Sequence, residues 1–314
     1  MNAIYFTQYG PADVLQYGPQ PTPTPQADQI LVRVRASSVN PVDWKIRAGD
    51  LRLLTGQSFP KIPGRDVAGE VAGVGDNVTR CKIGDRVYGM AEGIGGANAE
   101  YALLDERSFA FIPEKLSFEV AGAVPLGALT ALQALHTHGQ LLSGDRVLIN
   151  GASGGVGVFA VQLAKALGAG EVTGVCGPDN AELVRSLGAS RVLNHHEHDF
   201  TKDLSRYDLV FDAVGKSSYL TARPALRRNG RYVTTTPEPR AVIAGTLAAA
   251  FSDKKQGLFM AANRGTDLAL ISTWLQAGTI RPIIDKTFPL AETAAAHRYS
   301  ESGRTAGKIV LTVE

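Results

Sequence analysis

Three small residues at fixed spacing, Ala152-x-Gly154-x-x-Gly157, stand between a short apolar run, Val147 to Asn150, and a stretch, Val156 to Leu167, whose apolar residues recur at helical spacing. Residues of this kind let the backbone turn sharply, approach a diphosphate and pack a helix against its strand, while the N–H groups of the helix start face the phosphates. The chemistry they point to is the grip on a dinucleotide. Ala152, Ser153, Gly154, Gly155 and Val156 are the expected contacts, with Ala152 where the first glycine of the pattern usually sits. A second apolar run, Val172 to Cys176, follows at the distance the motif demands, and its end reads Cys176-Gly177-Pro178-Asp179-Asn180. That strand end carries no acid to take the ribose hydroxyls, which leaves room for a 2′-phosphate and favours NADP over NAD. Cys176, Gly177, Asn180 and His195 are expected on the adenosine side.

The elements that must hold this turn are βα units. Strands are expected over 171–176, 191–194, 207–213 and 230–235, with helices over 179–188 and 217–228, the alternation that implies a parallel sheet wound on both faces. Before them the texture differs. From Met1 to about Glu119 short alternating strands with frequent Gly and Pro, such as Ile30 to Val39, Val67 to Val74 and Gly84 to Gly89, argue for a β-rich, barrel-like domain. Pro21, Pro23 and Pro25 read as a stiff exposed spacer. Ala121 to His138 is expected as one long helix and Leu268 to Ala277 as another, and KIVLTVE near the end is placed to rejoin the first sheet.

Composition sets the outer bounds. A chain of 314 residues has two domains as its default, and 32 basic against 30 acidic residues give no pull toward nucleic acid or an acidic membrane. Small-molecule partners are therefore expected. Cys81 and Cys176 read as unpaired core thiols in a reducing compartment, and the most apolar segment, Gly245 to Phe251, is too short to span a bilayer, so a cytoplasmic protein is expected.

On the segments SVNPVDWKIRAG (38–49), IPGRDVAGEVAGVGDNV (62–78), KIGDRVYGM (82–90), the Gly-rich turn, YDLVFDAVG (207–215) and TAGKIVL (305–311), the chain resembles the zinc-independent quinone oxidoreductase branch of the medium-chain dehydrogenase/reductase superfamily. The resemblance implies an α/β fold: a GroES-like β-barrel substrate domain (1–119, with 264–314 returning to it) and a doubly wound parallel Rossmann domain (120–263), with the active site in the cleft between. It also implies a homodimer, by pairing of edge strands. The places of the catalytic zinc ligands in metal-dependent relatives match Asn40, Arg65 and Leu126 here, none a zinc ligand, so no metal is expected. His195, His196 and His198 read as a solvated loop.

The activity implied is NAD(P)H-dependent reduction of quinones or α,β-unsaturated carbonyls by hydride transfer. A catalytically silent NADPH-binding protein is the alternative, and a zinc alcohol dehydrogenase a more distant one. Such a reductase needs a donor for the charge that develops on the acceptor. Lys45 is the first candidate, since enone-reducing relatives resemble this chain in having Lys there; a surface lysine after a turn is the competing reading. Asn40 is expected to hold substrate or the nicotinamide ribose, Asp43 to fix loop backbone, and Arg65 with Asp66 to form an ion pair. Thr130, Val214, Gly215, Phe259 and Met260 are expected around the ribose and nicotinamide. Relatives that use NADPH commonly have Arg or Lys where Asp179 stands, and Arg185 is the candidate substitute.

Overall fold

The computed structural model describes residues 1–91, 93, 95–235 and 239–314, without the side chains of residues 239–242. The chain divides into two compact units, one of Met1–Leu126, Asn263–Gly278 and Pro282–Glu314, the other of Gly127–Ala262 and Thr279–Arg281. Among the described residues no helix is long and apolar enough to cross a membrane. Both cysteines are unpaired; Cys176 is buried and Cys81 only partly so.

The second unit is built on six parallel strands in the spatial order Arg191–Asn194, Glu171–Cys176, Arg146–Asn150, Tyr207–Asp212, Leu226–Thr234 and Lys255–Leu258. Strands covered on both faces must be apolar throughout, and Val147, Leu148, Ile149, Leu209, Val210 and Phe211 are all fully buried. The order of connection reverses between Arg146–Asn150 and Tyr207–Asp212, so the turns after these two strands flank the place where doubly wound sheets bind ligands.

Two helix expectations are corrected. Residues 217–228 give only Tyr219–Ala222 and a 3-10 turn, Arg223–Ala225, before the next strand begins at Leu226. Pro224 lacks the N–H that would continue the helix, and the strand takes over. The expected helix 121–138 is broken into Phe118–Gly122 and Pro125–Leu132, its last turns widening to a π-helix at Gln133–His138. Pro125 sets that break.

In the first unit the eleven-residue strand Gln29–Val39 is central. One edge pairs antiparallel with Asp66–Val74, with register slips opposite Gly73 and Gly69. Its other edge is shared: Tyr101–Asp105 pairs with residues 29–33 and Lys308–Thr312 with residues 36–39. Arg86–Met90 and Phe109–Phe111 extend one side, Ile284–Pro289 the other. Gly84 lies outside its expected strand, at φ +92 in the turn before it. The inward residues Ile30, Val32, Val34, Val67, Val71, Val87 and Leu104 form one core with Phe109, Ile309 and Leu311.

Helix Pro41–Ala48 follows the central strand directly. Proline at its first position has no N–H to leave unsatisfied, and Asp43 one turn in accepts the Asn40 N–H at 2.7 Å. The helix is anchored by Arg47, which is 2% exposed: Nε donates to Gly10 O at 3.1 Å and Nη2 pairs with Glu301, while Nη1 lies 3.4 Å from Nδ1 of the buried His297. These contacts fix where the helix presents Lys45.

Candidate functional site

In the second unit the Gly-rich turn leads from Arg146–Asn150 into helix Gly157–Ala166. The sharp reversal falls on Gly151, at φ +83, one residue before the expected position. A Cβ on Gly151 would meet Val214 Cγ1 at 2.3 Å, so glycine is required there both for conformation and for space. Ala152 is instead buried, its N–H bonded to Val175 O at 2.9 Å. The Asn150-Gly151 dipeptide was the available signal. Gly157 sits against backbone: a Cβ would lie 2.0 Å from Gly151 O. At Gly154 a Cβ would find only that same oxygen, at 3.5 Å. The turn is therefore closed at its ends and open at its middle, with Ser153, Gly154, Gly155 and Val156 partly exposed ahead of the helix, the shape a diphosphate needs.

Asp212 organises the neighbouring turn and was missed as a site residue. It is fully buried; Oδ1 accepts from Val214 N (3.2 Å), Gly215 N (3.0 Å) and Asn150 Nδ2 (3.0 Å), and Oδ2 from Ser217 and the Tyr232 hydroxyl. Val214 and Gly215 are thereby held exposed beside Gly151. Cys176 ends its strand buried, and burial pushes its thiol up while the Arg185 charge opposes. His195 donates its backbone N–H to Cys176 O at 3.1 Å, and its ring stands beside Gly177. Asn180 is partly buried in the turn Pro178–Asn180, and Asp179 is exposed. Thr130 is buried on Pro125–Leu132. Phe259 is a core ring stacked on His138 with centroids 4.2 Å apart, whereas Met260 is 75% exposed, so the two do not form one wall.

In the first unit a buried polar cluster gathers residues distant in sequence. Lys308, 2% exposed, donates from Nζ to Asn40 Oδ1 and, at 3.1 Å, to Asp66 Oδ2. Asn40 Nδ2 donates to Asp66 Oδ2 at 2.9 Å and to Ser38 Oγ at 3.4 Å; Ser38 Oγ donates to Asp66 as well, and Leu126 N donates to Asp66 Oδ1 at 2.7 Å. Two expectations are corrected. Asp66 pairs with Lys308, not with Arg65, because a fully buried carboxylate needs a buried cation and Arg65 is directed to Gly93 O, 2.8 Å from Nη1. Asn40, 3% exposed, has its amide hydrogens engaged inside the protein and orients this cluster in place of a ligand. Lys45 is partly exposed, with Nζ 5.6 Å above the Trp44 ring. The donor set Asn40, Arg65 and Leu126 offers no thiolate, imidazole or carboxylate, and Asp66 is saturated by its four donors, so zinc does not fit here.

Residues 26–114 match the family model described as alcohol dehydrogenase GroES-like domain, and residues 187–311 the one described as zinc-binding dehydrogenase. The chloroplast envelope quinone oxidoreductase homolog of Arabidopsis thaliana is 35% identical over 323 residues, spanning 99% of this chain and 98% of that protein. The chain belongs to the quinone oxidoreductase branch of the medium-chain dehydrogenase/reductase superfamily. The solved quinone oxidoreductase of Coxiella burnetii superposes on this branch member with a TM-score of 0.92 at 32% identity, over 100% of this chain and 99% of that one. An NADPH-dependent alkenal/one oxidoreductase of Arabidopsis thaliana is 31% identical across 99% of this chain and 79% of its own length.

Two buried groups of this quinone oxidoreductase relative titrate in opposite senses. Burial, reinforced by Asp66, pushes the Asp43 carboxyl from 3.8 up to about 7 against the pull of the Asn40 N–H. The folded state then holds a proton the unfolded chain has lost, so this contribution to stability disappears as pH rises from about 4 through 7. Burial and the Arg47 charge lower His297 from 6.5 to about 3, so its contribution is lost as pH falls through that window. Asp43→Asn keeps an acceptor for Asn40 and removes the first dependence. Urea midpoints across about pH 4 to 7 are expected to climb more steeply with pH in the variant than in the parent. Parallel profiles would contradict a proton on Asp43.

Proposed function

We propose that this chain reduces quinones or α,β-unsaturated carbonyls with hydride from NADPH, without a metal ion. The observation that carries the reading is the turn closed by Gly151 and Gly157 and open at Gly154, built for a dinucleotide diphosphate. The absence of zinc ligands at Asn40, Arg65 and Leu126 directs the rest: polarisation of the acceptor falls to charged side chains. The names of the quinone oxidoreductase and alkenal/one oxidoreductase relatives support the acceptor class, and the latter's NADPH dependence supports the cofactor.

When bound, the reduced nicotinamide supplies hydride. The amides from Ser153 to Val156 bind the diphosphate, and Asp212, through the N–H groups of Val214 and Gly215, shapes the adjoining turn. Arg185, whose charge acts on the Cys176 thiol, is the basic group for a 2′-phosphate and offsets Asp179. Lys45 delivers a proton from Nζ to the reduced acceptor, on a helix whose start Asn40 and Asp43 hold rigid. A homodimer in the cytoplasm is part of the same reading.

Titration of the purified protein with NADPH is expected to give a saturable fluorescence change, weaker with NADH. Chelator-treated protein should then oxidise NADPH in the presence of 1,4-quinones and 2-enals. Cofactor binding with no turnover across a broad acceptor panel favours a silent dinucleotide-binding protein instead, and activity that chelation abolishes favours a metal dehydrogenase.

A further inference from the structure

The start of helix Pro41–Ala48 is built around one carboxyl. Asp43 is 1% exposed; its Oδ2 accepts the Asn40 N–H at 2.7 Å, while its Oδ1, also buried, meets no partner among the described residues. The cations around it are engaged elsewhere. Lys308 donates to Asp66 and Asn40, and Arg65 to Gly93 O. On its own helix Arg47 is taken by Gly10 O and Glu301, and Lys45 stands over the Trp44 ring. Helix Thr293–Glu301, packed against it, brings His297, neutral down to about pH 3, and Arg298, which pairs with Asp13. The Asp66 carboxylate repels a second charge. A carboxylate at Asp43 would therefore lose water for a single N–H, whereas the neutral acid keeps that bond without a charge to desolvate, and burial holds the proton on to about pH 7. The turn that encloses it is weakly held. The first turn of a helix has few internal bonds; here the Asp43 N–H donates to Asn40 O at 2.9 Å, and Pro41 has no N–H to add. Asn40 itself is fixed by Asp66 and Lys308, so the segment free to move is 41–44.

We propose that the first turn of helix Pro41–Ala48 is a pH-operated latch: a proton on Asp43 closes it, and loss of that proton lets the turn open until the carboxylate reaches water, releasing the segment that presents Lys45. The only bond that changes covalently is the carboxyl O–H, whose proton passes to water. The open turn binds that proton as an ordinary Asp does, near 4, and the closed turn as the buried acid does. Opening accordingly becomes more favourable as pH rises between those two values and is constant above about 7. The bearing of the latch on turnover rests on the reductase reading given above; the latch itself does not.

The test follows backbone amide exchange of residues 40–48 in the intact chain from pH 5 to 8, corrected for the intrinsic rate, in wild type, Asp43→Asn and Asp43→Ala. Protection in wild type is expected to fall roughly 50-fold between pH 5 and 7 and then level off. Asp43→Asn, which cannot ionise and still accepts the Asn40 N–H, is expected to hold its protection within about twofold throughout. Asp43→Ala loses the acceptor too and is expected to exchange fast at every pH, which separates the proton from the cap. In parallel, kcat/KM for 2-cyclohexenone or 1,4-benzoquinone with NADPH is taken as the ratio of wild type to Asp43→Asn, in which other ionisations cancel; it is expected to fall more than about threefold from pH 5.5 to 8. Constant protection in wild type overturns the latch whatever the variants do, including one that does not fold. Protection that falls while the ratio stays flat, in an enzyme that turns over, overturns its control of turnover. If neither acceptor is reduced at any pH, the reductase reading falls and the exchange profile alone decides the latch.

Discussion

Lys308→Met is expected to cost the first unit about 3–5 kcal/mol, read as a fall in the urea midpoint at unchanged slope. The substitution conserves most of the aliphatic stem, so packing changes little and the loss is electrostatic. It strands the Asp66 carboxylate, which is 0% exposed, with neutral donors only: Ser38 Oγ, Asn40 Nδ2 and the Leu126 N–H. A buried charge without a counter-charge is what makes breaking such a pair expensive, whereas removing both charges is often nearly neutral. The double variant Lys308→Met with Asp66→Asn is accordingly expected to recover more than half of the loss. A single variant within about 1 kcal/mol of wild type would show that the ion pair is not the anchor.

The second large effect concerns the dinucleotide turn. Gly157→Ala sets a Cβ 2.0 Å from Gly151 O and 2.7 Å from the Ala152 backbone, and backbone atoms cannot swing aside as a side-chain tip does. The helix must move off the turn, so both thermal stability and NADPH affinity are expected to fall, the latter by about 100-fold, or about 2.8 kcal/mol. Gly154→Ala separates the two. Its Cβ meets only Gly151 O, at 3.5 Å, so the fold is retained while the open middle of the turn is filled. Unchanged Tm with weakened NADPH binding is the expected outcome, measured by calorimetry and fluorescence titration. Full affinity in Gly154→Ala would mean that the diphosphate lies elsewhere.

The contrast between these regions explains what could be read from the residues alone. The parallel sheet announces itself in continuous apolar runs such as Val147 to Ile149 and Leu209 to Phe211, and the turn in glycines that local backbone geometry demands. Signals of that kind are local. The cluster around Asp66 is not: Asn40 and Lys308 are 268 positions apart and meet because two strands pair, so nothing in either segment marks the ammonium as buried. Adjacent charges at Arg65 and Asp66 suggested a pair, yet Arg65 precedes the strand that Asp66 opens and bonds to Gly93 O, while the Asp66 carboxylate lies buried against Lys308. The misassigned helix at 217–228 shows a milder failure, in which apolar spacing outweighed Pro224.

The shared edge of Gln29–Val39 bears on how the protein is made. Residues 36–39 wait for Lys308–Thr312, the last strand to leave the ribosome among those described, while every strand of the parallel sheet has already emerged. Vectorial synthesis therefore completes the nucleotide half first and holds the older, N-terminal half with open hydrogen-bonding groups and half of a buried ion pair. Nascent chains stalled before Lys308 should be the species that chaperones capture.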